Sequence, residues 1–320
     1  MHNFRARRRH LKYSLNDLYK VIGLTKQAVH QYQKRERIFE QNLSYLVLDV
    51  QDLREDHPGC GLEKIYYTLQ PDFIGRDRFV DLFLRLGYGV KKRKNYIKTT
   101  IPSCYQYDNL IQGLLVTRIN QVVQSDITYY NLGGSFYYLI FLIDVFSKRI
   151  VGHQVSDHMR AQANVRALKQ LIKLRGPKAM KGMIHHSDRG SQYGAKIYTN
   201  LLKDLGCYIS MGQKAQDNAY AERVNGIIKN EYLNYWKIET KQQLSRMVKK
   251  AVDHYNSNRI HRHLPERLTP INFEQRFKNN SKENSHFELI FAEQNALERS
   301  SFKHLNDYLE GQIEYSCPLF

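Results

Sequence analysis

The sequence predicts an α/β fold whose sheet-bearing middle is preceded by an all-α front, and three observations predict it. Residues 14–87 carry helical apolar spacing punctuated by Gly23, Pro58-Gly59 and Gly87. From about residue 118 the pattern turns to strands, with a near-continuous apolar run in SFYYLIFLIDVFS, as expected of a strand buried on both faces. Beyond that, helical and strand stretches alternate until a long helix begins near 217. Three strands in succession, then alternation, then a long helix, is the order of a ribonuclease-H-like core.

Charge narrows the choice of partner. The 320 residues hold 49 Lys+Arg against 31 Asp+Glu, a formal charge of +18 and a pI near 9.6. Such an excess favours a polyanion, of which nucleic acid is the commonest. The charge is uneven: residues 1–40 hold ten basic side chains and three acids, whereas 281–320 hold three basic and seven acidic ones. The four cysteines (Cys60, Cys104, Cys207, Cys317) form no CxxC pair, which argues against a disulfide scaffold or zinc knuckle and fits a reducing compartment. No run approaches the roughly 20 apolar residues of a membrane span, so no membrane partner and a cytoplasmic location are expected.

The front, residues 1–40, reads as a helix-turn-helix DNA-binding domain. In SLNDLYKVIGLTKQAVHQYQKR, Leu15, Leu18 and Ile22 share one face, Gly23 supplies the turn and Thr25 can cap the next helix. Leu24, Val29 and Tyr32 are expected to pack back on the first helix. Lys26, Gln27, His30 and Gln31 then lie on the outer face of the second, where side chains reach base edges or phosphates in a major groove. An ordinary helical hairpin is the plainer alternative.

Residues 41–98 read as a second helical domain, with NLSYLVLDVQDLREDH, GLEKIYYTL and RDRFVDLFLRLG as its helices. It ends in a basic linker, Lys91, Lys92, Arg93 and Lys94, placed where a chain could track a phosphate backbone.

The core is expected over 112–240, a helical block over 241–280 and an acidic extension over 281–320. In the core, QVVQSDITYYNL is the first strand, Gly133-Gly134 a turn, RIVGHQVS the third strand and GMIHHS the fourth. Asp126 falls in the first strand, Asp188 follows the fourth, and Glu222 lies early in the last helix. A helix starting near Asp217 lays Glu222, Asn225 and Lys229 along one face. The first and fourth strands of such a sheet are neighbours, so the carboxylates can meet, and three hard oxygen donors suit Mg²⁺. Singly, each acid admits a plainer reading: solvent-facing strand residue, turn cap, helix surface. His185 and His186 are expected as neighbours of the site rather than ligands, since Mg²⁺ prefers oxygen.

At these residues the chain resembles a known family. SDITYY, HSDRGSQY and DNAYAERVNGIIKNEY are similar to the three signature blocks of DDE transposases of the IS-three (OrfB-type) insertion-sequence family, whose catalytic core is like that of retroviral integrase. HYNSNRIHRHLPERLTPINF resembles that family's tail block. The resemblance spans most of residues 10–277. It implies Asp126, Asp188 and Glu222 as catalytic and metal-ligating residues, with two Mg²⁺ per active site and Mn²⁺ able to substitute. Lys229 matches a basic position that contacts DNA; Asn218, Gln192 and Tyr193 match motif positions of less defined role. The 33 residues between Asp188 and Glu222 are fewer than the family's usual spacing, which implies a shortened loop. The implied activity is metal-dependent cleavage of insertion-sequence ends and strand transfer into target DNA. The implied partners are the terminal inverted repeats, target DNA and further copies of the chain, as a dimer or higher multimer. The alternative is a helix-turn-helix repressor or architectural protein with a silent core.

Overall fold

The computed structural model describes residues 14–90, 107–212, 215–279 and 288–290, which form two compact units. The first holds residues 14–56 and 60–90; the second holds 57–59 and the described residues from 107 onward.

In the first unit, α1 (Leu15–Val21) opens with a capping box in which Ser14 and Asp17 satisfy each other's backbone N–H. After the turn at Gly23, whose φ of +67° suits a residue without Cβ, the Thr25 hydroxyl accepts from the Ala28 N–H. The helix capped there, α2, runs from Lys26 to Asp56 without a break. Two separate helices were expected here. Nothing divides them, because residues 26–56 contain neither glycine nor proline. Residue 40, expected as a domain boundary, therefore lies in mid-helix. The expected packing against α1 is also thinner than the spacing suggests: Val29 is buried, but Leu24 and Tyr32 are exposed. The apolar core of this unit sits further along, where Leu46 and Val50 of α2 meet Ile65 of α3 (Leu62–Leu69) and Phe79 and Phe83 of α4 (Arg76–Arg85).

The second unit is built on a five-stranded sheet in the order β4-β3-β2-β5-β6. Strands β2 (Val122–Leu132), β3 (Ser135–Asp144) and β4 (Ile150–Ser156) are antiparallel neighbours. Strands β5 (Ile184–Ser187) and β6 (Tyr208–Met211) add in parallel on the far side of β2. This is the ribonuclease-H-like fold the sequence predicts.

Both faces of the sheet are covered. Ile140 and Leu142 of β3 pack towards α5 (Ala161–Arg175) and α7 (Lys196–Asp204). Leu139, Phe141 and Ile143 point the other way, towards α8 (Ala219–Ile227) and α9 (Lys241–Ser257). Every residue from Leu139 to Asp144 is buried, which explains the unbroken apolar run. A short helix, α6 (Ser191–Gly194), follows β5. A π-helical segment, Ile228–Leu233, continues α8.

Helix α5 lies so close to β4 that a Cβ on Gly152 would stand 2.3 Å from the Ala167 carbonyl oxygen. Backbone, not a mobile side chain, blocks that position. Gly152→Ala is expected to destabilise the protein by about 3 kcal/mol, as overpacking does; a denaturant midpoint equal to wild type would contradict this close approach.

The helical block of 241–280 is present as α9 and α10 (Pro270–Asn279). Glu274 of α10 binds Arg149 at 2.6 Å and also pairs with Arg175, tying this block to β4 and α5. The tail was expected only as an acidic extension, yet its described part belongs to the fold. Strand β7 (Glu288–Leu289) pairs antiparallel with β1 (Leu115–Val116), and Ile290 is buried beside Val116 and Phe273. Among the described residues no helix is long and apolar enough to cross a membrane.

Candidate active site

The site is organised by a ladder between one strand and one helix. Alternate residues of β2 point to one face, and Gln124, Asp126 and Thr128 meet α8 and its π-helical continuation. The Gln124 Oε1 accepts from the N–H of Tyr220 at 3.1 Å and of Ala221 at 3.3 Å. One step along, Asn225 Nδ2 donates to Asp126 Oδ2 at 2.6 Å. A further step along, Lys229 Nζ donates to Thr128 Oγ1 at 2.8 Å. Two strand residues advance about 6.6 Å and four helical residues about 6 Å, so the two elements stay in step over three rungs.

Asp188 arrives from the neighbouring strand. β5 is parallel to β2 with Ser187 opposite Ser125, so the next residues along the two strands are Asp188, just past the end of β5, and Asp126, inside β2. The turn after β5 folds back on Asp188: Gly190 N–H donates to its Oδ1 at 3.1 Å. A Cβ at Gly190 would lie 3.0 Å from that oxygen and 2.6 Å from Gln192 Oε1. A side chain there would have to displace both.

Glu222 sits in the first turn of α8 with an exposed side chain, while Asp126 and Asp188 are half-buried. The three carboxylates act on one another. Asp126 is pushed well above the usual carboxylate range, first by burial and then by Asp188 and Glu222. Glu222 is pushed up by burial and by Asp188. Burial pulls the Lys229 ammonium down, and the charge of Asp126 opposes this. The strand ends thus hold concentrated negative charge that the protein only partly offsets. Among the described residues no three His, Cys, Asp or Glu side chains stand close enough to enclose a metal ion by themselves.

Beneath the carboxylates the polar side chains are buried and paired. His185 Nε2 meets the Tyr198 hydroxyl at 2.8 Å, and burial drives the His185 pKa down to about 3. His186 Nδ1 meets Ser210 Oγ at 2.8 Å, with its pKa lowered to about 4. Both rings are neutral supports at physiological pH. The Tyr193 and Ser125 hydroxyls are 2.9 Å apart, and Asn218 Nδ2 donates to the Ser125 carbonyl at 3.0 Å.

Of the residues singled out in the sequence, Asp126, Asp188 and Glu222 act on one another electrostatically, and Lys229 is within reach of the Asp126 charge. Lys26, Gln27, His30 and Gln31 are exposed in the first turns of α2, in the helical unit. Lys91, Lys92, Arg93 and Lys94 lie outside the described residues. Sequence reasoning gave Gln124 no role: it marks only a departure from the resembled family's first block, VVQSD. It also missed Glu231, on the π-helical segment. Glu231 accepts from Arg259 Nε at 2.8 Å and Nη2 at 3.0 Å, and pairs with His57 at 2.6 Å.

Comparison with known proteins identifies the family. Two integrase core domain families match, over residues 116–216 and 205–270. The transposase for insertion sequence element IS629 of Shigella sonnei is 32% identical over 214 residues, covering 64% of this chain and 71% of the relative. The IS600 31 kDa protein of Shigella sonnei is 30% identical, covering 64% and 76%. The putative IS986/IS6110 transposase of Mycobacterium tuberculosis (strain ATCC 25618 / H37Rv) is 28% identical, covering 67% and 81%. Among solved structures, the HTLV-2 integrase catalytic core domain in complex with magnesium aligns at 22% identity and a TM-score of 0.40, over 51% of this chain and 99% of that one. A sheet with acids on and just beyond adjacent strands, integrase core matches over most of the second unit and relatives of this identity and coverage agree: the chain belongs to the insertion-sequence transposases of the IS-three family, polynucleotidyl transferases with an integrase-type core.

Proposed function

We propose that Asp126, Asp188 and Glu222 carry the chemistry of this transposase, cutting the ends of its insertion sequence and joining the freed 3′-OH to target DNA. The observation that supports this reading most directly is the electrostatic coupling of the three carboxylates, carried by β2, the turn after β5 and the start of α8, with Asp126 raised by burial and then by Asp188 and Glu222. Uncompensated acids are costly to gather, and an all-oxygen donor set open to solvent suits a hard divalent cation that also binds substrate phosphate. Mg²⁺, two ions per site with Mn²⁺ able to substitute, would be held by these three side chains and would supply charge neutralisation at the phosphate and an activated hydroxyl.

The chain's own groups set the geometry. Asn225 occupies Asp126 Oδ2 and so fixes how that carboxylate turns; the Gly190 N–H does the same for Asp188 Oδ1. Lys229, held by Thr128 beside Asp126, offers a fixed positive charge to the DNA backbone next to the acids. In the helical unit, Lys26, Gln27, His30 and Gln31 would read the terminal inverted repeats through a major groove. Lys91, Lys92, Arg93 and Lys94 would follow the phosphates. The active species would be a dimer or higher multimer on paired ends, working in the bacterial cytoplasm at the nucleoid.

Labelled duplex from the element's ends, incubated in Mg²⁺, in EDTA and with Glu222→Gln, tests the reading. Cleavage at the 3′ ends is expected in Mg²⁺ only, with the variant reduced by at least about 10³-fold while binding the ends as wild type does. Equal cleavage by Glu222→Gln would remove this side chain from the chemistry. Tight binding with no cleavage by the wild type would favour the silent DNA-binding alternative.

A further inference from the structure

We infer that Gln124 is a positioning residue for the reaction: its carboxamide fixes where the helix bearing Glu222 begins, and so sets the third carboxylate relative to the first. The inference rests on the assignment of Asp126, Asp188 and Glu222 and adds to it a residue that touches none of the reacting atoms.

Gln124 lies in β2, the middle strand of the sheet, and is fully buried. A buried carboxamide needs partners at both ends, and this one has them. Its Oε1 accepts from the N–H groups of Tyr220 and Ala221, and its Nε2 donates to the Asp217 carbonyl at 3.1 Å. The first N–H groups of a helix lack partners within the helix and are ordinarily satisfied by the residue just before it. Here that residue, Asn218, makes no cap bond, and its side chain turns to the Ser125 carbonyl of β2 instead. The cap of α8 is therefore supplied across the fold by a strand.

The source of the cap decides what it restrains. A cap from the preceding residue fixes local torsions only. A cap from β2 fixes the height and rotation of the helix start against the strand that carries Asp126. Gln124 and Asp126 are two residues apart on the same face, and Ala221, which Gln124 holds, immediately precedes Glu222. The Glu222 side chain is exposed, so its placement follows from its backbone. The other two rungs, Asp126 with Asn225 and Thr128 with Lys229, hold the helix further along; of the three, the Gln124 rung acts at the turn that carries Glu222, beside the bond from Asn218 to the Ser125 carbonyl.

The test compares wild type with Gln124→Met, close in volume but unable to cap, and Gln124→Glu, which keeps an acceptor for the two N–H groups. Three measurements are made on the full chain: amide hydrogen exchange, titration with Mn²⁺ alone followed by electron paramagnetic resonance, and cleavage of end duplex. For Gln124→Met, exchange at Tyr220 and Ala221 is expected to quicken by roughly tenfold, the scale of a lost cap. Half-saturation by Mn²⁺ is expected to need several-fold more ion and cleavage to fall by about 10–100-fold, with end binding unchanged. Gln124→Glu is expected to keep the protection of both amides.

Faster exchange with unchanged Mn²⁺ titration and cleavage would overturn the inference, since the cap would then be structural only. Faster exchange spread over the whole sheet would overturn it as well. If Gln124→Met does not fold, Gln124→Glu decides: loss of protection at Tyr220 and Ala221 despite the retained acceptor overturns the capping role. A wild-type chain that takes up no Mn²⁺ and cuts nothing overturns the carboxylate assignment itself, a result separable from the exchange difference.

Discussion

Asp126→Asn is expected to abolish cleavage and, in EDTA at neutral pH, to leave a protein that melts above wild type. Both effects come from the same carboxylate. Its pKa in the folded protein is raised by burial, by Asp188 and by Glu222, so the folded state holds this proton more tightly than the unfolded chain does. The stability linked to the proton is fully present below the unfolded value, near pH 4, and is lost as pH rises through the higher folded value. Glu222 shifts in the same direction and adds to the trend. Above pH 4 the unfolded chain gives up this proton more readily than the folded protein does, so at neutral pH the metal-free group weighs against folding.

Asparagine has the same shape without the charge, and its Oδ1 can still accept from Asn225. The gain is expected to be about 1–2 kcal/mol, the lower part of the range for removing poorly compensated charge from a protein interior. For a domain of this size that is roughly 2–8 °C. The activity lost should be at least about 10³-fold if Asp126 holds the ion that neutralises the scissile phosphate. Melting curves with EDTA and with Mg²⁺, read from pH 5 to 8, separate the contributions. Wild type should lose stability with rising pH in EDTA and regain it with Mg²⁺; the variant should do less of both. A variant that melts below wild type in EDTA, or responds equally to Mg²⁺, would show that Asp126 is neither strained nor a ligand.

Much of this arrangement is written locally and could be read without coordinates. The change from helical to strand spacing near 118, the double-sided apolar run of β3 and the placing of Asp126, Asp188 and Glu222 at element ends are all period and order, which a sequence displays. Parallel pairing of β2 with β5 follows from the topology and brings the two aspartates together. What the sequence hides is carried by long-range partners. Gln124 looks like a flaw in an apolar strand until the N–H groups of Tyr220 and Ala221, almost a hundred residues later, are placed against it. The unbroken α2 was missed for the opposite reason, because a domain boundary was expected at residue 40 although nothing there stops a helix. The pairing of β7 with β1 joins segments more than 170 residues apart and leaves no local mark.

The same distance problem hid Arg259, and the second large effect is expected there: Arg259→Ala should cost about 3–5 kcal/mol, the scale of breaking a buried ion pair from one side. The Arg259 side chain is 7% exposed and its partner Glu231 17%. The guanidinium reaches both Glu231 oxygens in the paired-donor geometry that a lysine cannot reproduce. It also lies over the Tyr255 ring and beside His261, so it joins α9 and the loop after it to the π-helical segment. Removing it leaves the Glu231 carboxylate with His57, whose ring stacks on Tyr232 at 4.6 Å. Burial without the guanidinium is what makes the loss large, so the partner's charge must matter. Glu231→Gln in the Arg259→Ala background should therefore recover part of the stability, and the double-mutant cycle should show a coupling of at least about 1 kcal/mol. Lys229 lies two residues before Glu231, and a loosened segment should also release its contact with Thr128 and weaken cleavage. Denaturant unfolding of the four proteins measures the coupling directly. Additive losses would mean that Arg259 acts through packing on Tyr255 alone, and that the π-helical segment holds Lys229 in place without it.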